Sequence, residues 1–180
     1  MKDGSIVISI YGKCGTGKTT IANSLSSMLR DCPVFSINRD DPLISRVVNR
    51  CGYVHDVAKM RRLENRLWLY LAADLNDFTG VSIYTSTRRN FRERIVDTIL
   101  KTKIGCNIGL ECDELELKRR LDLRKSEGES LFSSIYPGMS YDDINRIKEI
   151  PIDYDMRIDT TNTTPEECAS QIHEKFKTWF

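Results

Sequence analysis

Gly12-Lys13-Cys14-Gly15-Thr16-Gly17-Lys18-Thr19 is the stretch that decides how this chain is read. It fits G-x-x-x-x-G-K-[ST], a pattern that gains meaning only between a strand and a helix. The preceding Ser5-Ile6-Val7-Ile8-Ser9-Ile10-Tyr11 is short, β-branched and apolar, as a strand buried on both faces of a parallel sheet should be. The following Lys18 to Arg30 sets Ile21, Leu25, Met28 and Leu29 on one helical face. A glycine-rich turn in that position lets the backbone wrap closely around phosphate oxygens and aims its amides, with the helix N-terminus, at the anion. Gly12, Lys13, Cys14, Gly15, Thr16, Gly17, Lys18, Thr19 and Thr20 are therefore the expected nucleotide-binding residues. Lys18 brings a positive charge to the β and γ phosphates and Thr19 a hydroxyl to Mg²⁺, so ATP and Mg²⁺ are the expected cofactors. Cys14 has no partner thiol nearby in sequence and reads as a space-filling loop residue.

Working outward, strands and helices alternate. Pro33 to Ile37 reads as a second strand ending in Asn38-Arg39-Asp40-Asp41-Pro42, where the proline stops strand pairing. Val57 to Asn76 carries Met60, Leu63, Leu67, Leu71 and Leu75 on one helical face. Val81 to Tyr84 predicts a third strand, Arg89 to Lys101 a helix and Ile104 to Leu110 a fourth strand. Asp113 with Glu116 resembles a capping box, and Thr164-Pro165-Glu166-Glu167 supplies an N-cap and proline for the last helix. Tyr154 to Ile158 is a short candidate for a fifth strand. The expected architecture is α/β: a single three-layer P-loop NTPase domain over residues 1–180, with a five-stranded, mostly parallel sheet flanked by helices. Ser126 to about Asp143 is rich in Ser, Gly and acids, lacks a period and is long for a connection. It reads as a mobile lid, set within about residues 120–147, or else as a surface insertion.

Composition narrows the class. Lys plus Arg total 27 against 26 Asp plus Glu, so no global field attracts nucleic acid and any anion site must come from local clusters. The six cysteines form no C-x-x-C pair and no zinc spacing, and they read as small buried hydrophobes. No run approaches the roughly 18 apolar residues of a membrane span. The amino terminus offers no leader pattern, so a cytoplasmic location without membrane partners is expected.

The phosphate loop alone does not choose among a kinase, a GTPase and a motor ATPase. A GTPase would need Asn-Lys-x-Asp late in the chain and Asp-x-x-Gly after its third strand. Asp77-Phe78-Thr79-Gly80 matches the second pattern, but it precedes that strand and reads as a turn. A motor would end a strand beside the first with an acid, which the third strand lacks and the fourth supplies as Glu111. In a parallel sheet ligands sit outside the carboxyl ends of the strands, where Asp40 follows the second one. Asp40 is the candidate to orient an acceptor hydroxyl, a placement typically worth roughly 10²–10⁴-fold in rate, although a helix cap would also suit an aspartate there. Among clustered arginines, Arg88 just past a strand end and Arg124 beside the lid are best placed to meet phosphates, with Arg119 and Arg120 as competitors at the lid.

These pieces together resemble the adenylylsulfate kinase family across nearly the whole chain. Gly12 to Ala22 is similar to its phosphate loop and helix start, and Asn38-Arg39-Asp40-Asp41 occupies the place of its Asp-Gly-Asp-Asn. The resemblance implies that Asp40 is the catalytic aspartate and that Arg88 follows the substrate loop; with Lys18 from the phosphate loop and Arg124 from its place beside the lid, these are the expected catalytic residues. Gly52-Tyr53 is similar to a Gly-Phe whose ring stacks on the substrate base, so Tyr53 is a base platform or a packed loop tyrosine. Asp56 with Arg61-Arg62 resembles the acidic and double-arginine pattern that follows. Ile158-Asp159-Thr160 with Thr164 to Glu167 resembles the carboxyl-terminal pattern near the ATP base. The implied substrate-binding set is Asp40, Arg46, Tyr53, Arg61, Arg62, Thr85 and Arg88.

Three departures concern the acceptor. Leu43 replaces a substrate arginine, with Arg46 the nearest substitute; Ile83-Tyr84-Thr85-Ser86 replaces Phe-Ile-Ser-Pro; and the Lys-Gly-Leu-Tyr lid signature is missing. The expectation is an ATP-dependent kinase passing the γ-phosphoryl group to a hydroxyl of a small nucleotide-like acceptor, with a homodimer allowed. Another nucleotide-linked acceptor, such as cytidine diphosphoramidate in capsule synthesis, fits equally well. A nucleotide-binding subunit without catalysis and a polynucleotide 5′-kinase stay open, the last disfavoured by the near-zero net charge.

Overall fold

β-Branched residues dominate the strand that leads into the phosphate loop, and that strand lies at the centre of the sheet. In a computed structural model, which describes residues 6–38, 66, 79–86, 104–127 and 153–180, five strands form one sheet. They are β1 (Ile6–Gly12), β2 (Val34–Asn38), β3 (Val81–Ser86), β4 (Ile104–Glu111) and β5 (Met156–Asp159), in the spatial order β2-β3-β1-β4-β5. Every pairing is parallel, so the sheet is more uniform than the mostly parallel one expected from sequence. All five carboxyl ends therefore meet at one edge, and Gly12 opens the phosphate loop between its neighbours Ser86 and Glu111.

Alternation along the strands gives the sheet two different faces. Ile6, Ile8 and Ile10 share one face with Val81 and Ile83 of β3 and Cys106, Ile108 and Leu110 of β4, by register. On that face pack α1 (Lys18–Met28), through Ile21, Ala22 and Leu25, and α3 (Pro165–Phe176), through Cys168, Ala169, Ile172 and Phe176. Ile8, Ile10, Leu25, Ile83, Ile108 and Ile172 are fully shielded from solvent, each worth roughly 1.5–3 kcal/mol of transfer free energy. The other face carries Val7, Ser9 and Tyr11 beside Ser82, Tyr84 and Asn107. There the Tyr11 ring meets Tyr84 edge-on at 6.2 Å and Tyr154 at 6.3 Å, an arrangement that suits the aromatic quadrupole.

Two boundaries move. The first helix ends at Met28 rather than Arg30, because Leu29 leaves helical geometry while its amide still donates to the Leu25 carbonyl. Residues 120–126, the start of the expected lid, belong to α2 (Glu114–Ser126); the rest of the expected lid lies outside the described residues apart from Glu127. The expected helices over 57–76 and 89–101 also lie outside them, except for Arg66, which is helical and exposed. Cys14, Cys106 and Cys168 are buried as expected, Cys32 and Cys112 are half-buried, and Cys51 is outside the described residues. Burial pushes the Cys106 thiol up to about 12, with Asp155 adding to the effect, so it behaves as an apolar core group. Among the described residues no helix is long and apolar enough to cross a membrane.

Candidate active site

The phosphate loop takes its shape from two glycines with left-handed backbone. Gly15 has φ +90° and Gly17 φ +85°, values a side chain would strain. Gly15 also lies tight against α2: a Cβ there would sit 2.9 Å from Leu117 Cδ1 and 3.1 Å from Leu121 Cδ2. Within the loop, Thr16 is buried and its hydroxyl donates to the Lys13 carbonyl at 2.9 Å. Lys18 is only 9% exposed, and its ammonium donates to the carbonyls of Gly12 at 3.0 Å and Lys13 at 2.8 Å. Burying an ammonium is costly unless it is hydrogen-bonded, and these carbonyls offset that cost while holding the charge against the loop.

The loop ends at the first turn of α1, where Gly17 provides no side-chain cap and the first turn contains no acid. That leaves the positive end of the helix dipole facing the loop. Thr19 and Thr20, the next two helical residues, are exposed. The nine expected nucleotide-binding residues, Gly12 to Thr20, thus form one continuous structure. Its amides, its buried ammonium and an exposed hydroxyl at Thr19 suit a polyphosphate and a hard cation shared with it.

Beside the loop, Thr85 is buried at the end of β3 in register with Ile10, and Ser86, also buried, is in register with Tyr11. Successive strand residues face opposite sides, so Thr85 lies on the α1 side of the sheet and Ser86 on the Tyr11 side. The Glu111 carboxylate, the acid on which a motor reading depended, is paired with the Arg157 guanidinium of β5. Arg157 also lies over the Tyr154 ring, 4.6 Å from its centroid.

A second group of residues ties α2 to the turn between β5 and α3. The Asp113 carboxylate caps α2 by accepting from the amides of Leu115 and Glu116. The expected reciprocal half of that box is not made. Glu116 instead accepts from both Arg119, at 2.7 and 2.9 Å, and Arg120, at 2.7 Å. These two guanidiniums hold its carboxyl down to about 2, with the hydrogen bond from Arg119 contributing most. Arg120 continues across to donate to the Thr160 carbonyl at 2.6 Å and the Thr161 carbonyl at 3.3 Å.

Of the three arginines expected to compete for phosphate near the lid, Arg119 and Arg120 are thus committed to Glu116. Arg124 is half-buried and, among the described residues, makes no hydrogen bond or ion pair. It follows Leu117 and Leu121 on the same helical face, the face that meets Gly15. The link from Glu116 to Arg120 was legible as an i, i+4 acid-base pair, but the capping-box pattern claimed the same glutamate. The contact of Leu117 and Leu121 with Gly15 had no local signal. Asp40, Arg46, Tyr53, Arg61, Arg62 and Arg88 lie outside the described residues.

Comparison with known proteins agrees with this geometry. A sequence search of curated proteins returns no match. Among solved structures, the chain is similar to that described as APE1195, with TM-score 0.66 and 21% identity, covering 98% of this chain and 97% of the other. It is equally similar in fold to the Mycobacterium tuberculosis APS kinase CysC, solved with AMPPNP and APS, at TM-score 0.66 and 14% identity over 97% and 99% of the two chains. Shikimate kinase from Acinetobacter baumannii, solved with shikimate, follows at TM-score 0.61 and 15% identity over 98% and 94%. At such identities these likenesses speak for the fold, a five-stranded α/β kinase fold that includes adenylylsulfate kinases as the sequence resemblance implied. Residues 4–177 match the family described as chloramphenicol phosphotransferase-like protein, and the chain belongs to that family of phosphotransferase-like proteins with the P-loop kinase fold.

Proposed function

We propose that this chain is an ATP-dependent kinase that transfers the γ-phosphoryl group to a hydroxyl of a small acceptor. The observation that carries the reading is the buried Lys18 ammonium at the Gly12 and Lys13 carbonyls, inside a loop whose glycines open onto an uncapped helix N-terminus. Transfer through a loose, metaphosphate-like transition state asks the protein mainly for positioning and charge stabilisation. In this reading the loop amides and Lys18 bind the β and γ phosphates. The Thr19 hydroxyl would hold Mg²⁺, which when bound would supply charge neutralisation at the phosphates. Arg124 is the arginine we assign to the transferring group, because its position beyond Leu117 and Leu121 and the lack of an ion pair among the described residues favour it over Arg119 and Arg120. Asp40 is assigned to orient the acceptor hydroxyl and Arg88 to assist at the phosphates, on the family resemblance. Arg46, Tyr53, Arg61, Arg62 and Thr85 are assigned to acceptor binding on the same ground.

The acceptors named for the family and its structural relatives are chloramphenicol, adenylylsulfate and shikimate, which share a hydroxyl and little else. A nucleotide-like acceptor, adenylylsulfate or a cytidine-linked metabolite, follows from the resemblance. An aromatic alcohol of the chloramphenicol type is the second reading, favoured by the family match over residues 4–177. The test is acceptor-dependent ADP release from magnesium-ATP across adenylylsulfate, cytidine nucleotides, chloramphenicol and shikimate. Release stimulated by any of them selects the acceptor class; folded protein giving none across a widened panel of alcohols speaks against a kinase.

A further inference from the structure

α2 is braced from two sides. On one side Leu117 and Leu121 lie so close to Gly15 that a single added methyl group would meet both. On the other, Arg120 reaches to the carbonyls of Thr160 and Thr161 and is steadied by Glu116 one turn earlier. The turn it grips is itself firm. The Thr160 amide and hydroxyl both donate to the Glu111 carbonyl, at 2.8 and 3.0 Å, and the Asp113 amide donates to the Thr161 hydroxyl at 2.9 Å. A guanidinium is suited to this task because its planar fork meets a carboxylate and a carbonyl at once in fixed geometry. With α2 held to this turn, Leu117 and Leu121 form a fixed wall for Gly15, whose φ of +90° sets the direction of the loop amides.

We infer that Arg120, oriented by Glu116, is a positioning residue of the phosphate loop: it anchors α2 to the β5–α3 turn so that Leu117 and Leu121 hold Gly15 in its phosphate-binding conformation. The inference rests on reading Gly12 to Thr19 as a phosphate site. It assigns Arg120 no contact with the ligand and places its effect on the polyphosphate rather than on the nucleobase.

The discriminating experiment is calorimetry with magnesium-ATP and with inorganic tripolyphosphate, which has no base, on the full chain and its Arg120→Met, Arg120→Lys and Glu116→Gln variants. Melting curves confirm that titrations run well below unfolding. Arg120→Met should weaken both ligands by the same factor, roughly tenfold, within the 100-fold that a 1 Å misplacement can cost. Arg120→Lys should recover part of the loss, because an ammonium still reaches one carbonyl, and Glu116→Gln should lose less than Arg120→Met. If Arg120→Met fails to fold, the milder pair carries the same comparison. Unchanged affinities with a lowered melting temperature would make Arg120 purely structural and overturn the inference. Loss confined to ATP would place Arg120 on the base and overturn it equally. Wild-type protein that binds neither ligand would bring down the phosphate-site reading itself, and this inference with it.

Discussion

The turn from β1 into α1 and the turn from β5 into α3 leave the same edge of the sheet and open helices that pack on the same face, yet they are built from opposite materials. In the β5–α3 turn side chains satisfy the backbone. Asp159 accepts from the Thr161 amide and hydroxyl, and the Thr163 hydroxyl donates to the Asp159 carbonyl. Thr164 and Glu167 then close a complete capping box. Acids fill the first turn of α3, as they do in α2, and so complement the helix dipole internally. The β1–α1 turn has glycine where the cap would be, no acid in its first turn, and a lysine folded against its carbonyls. Of the three described helix N-termini at this edge, α1 alone has neither a side-chain cap nor an acid in its first turn.

The largest effect should come from removing the lysine that makes the first turn electropositive. Lys18→Ala takes away the one buried ammonium at the loop while leaving the glycine geometry in place. Phosphoryl transfer should fall by roughly 10²–10³-fold, the loss seen when one fixed donor to a developing negative charge is removed. The measurement is ADP release with the best acceptor found, alongside a melting curve. Unaltered turnover would mean that the two turns differ in form without differing in use.

The opposite turn should respond in stability. Thr164→Ala deletes the side chain that accepts from the Glu167 amide at 3.2 Å, and it frees the Glu167 carboxylate from the Thr164 hydroxyl at 2.9 Å. The expected cost is about 1 kcal/mol, the usual consequence of losing an N-cap. Chemical denaturation should register it as a lower midpoint with an unchanged slope. Magnesium-ATP should still raise the melting temperature of the variant, because the β1–α1 turn keeps its glycines and its lysine. A loss of ligand stabilisation as large as that in Lys18→Ala would erase the contrast between the turns.

The same contrast explains what was legible beforehand. Ile6 to Tyr11 and Ile104 to Leu110 are continuous apolar runs, and runs of that kind announce strands buried on both faces. The phosphate loop was legible because glycine, lysine and threonine at fixed spacing act through backbone geometry, which local sequence encodes. Thr164-Pro165-Glu166-Glu167 was legible for the same reason, since both halves of its box lie within four residues. Asp113 and Glu116 share that local pattern, but an arginine pair one turn on drew the glutamate away, a competition that spacing alone does not decide. The close approach of Leu121 to Gly15 joins residues 106 positions apart, and such approaches are fixed by tertiary packing rather than by any local rule. For Arg124 the sequence could offer only proximity to the expected lid. Its distinction from Arg119 and Arg120 emerged from which guanidiniums were already engaged.

The smallest effect belongs to Glu116, and it sharpens the contrast by asking how far electrostatics, apart from shape, ties α2 to the capped turn. Hydrogen bonds from Arg119 and Arg120 lower the Glu116 carboxyl from its ordinary 4.5 to about 2 in the folded chain. A depressed acid contributes stability that is fully present above its unfolded pKa and is lost as pH falls through its folded value. The stability difference between wild type and Glu116→Gln should therefore be constant at neutral pH, begin to shrink below about 4.5 and close as pH approaches 2. Asp159, Glu167 and Glu174 are also held low, by hydrogen bonds from Thr161, Thr164 and Lys177 respectively, and both proteins share their response to acid. Only the difference between the two proteins isolates Glu116. Melting temperatures measured in parallel from pH 7 to pH 2.5 provide it. A difference that stays level across that window would show that Glu116 orients its arginines by hydrogen-bond geometry alone, with its charge contributing nothing to the brace.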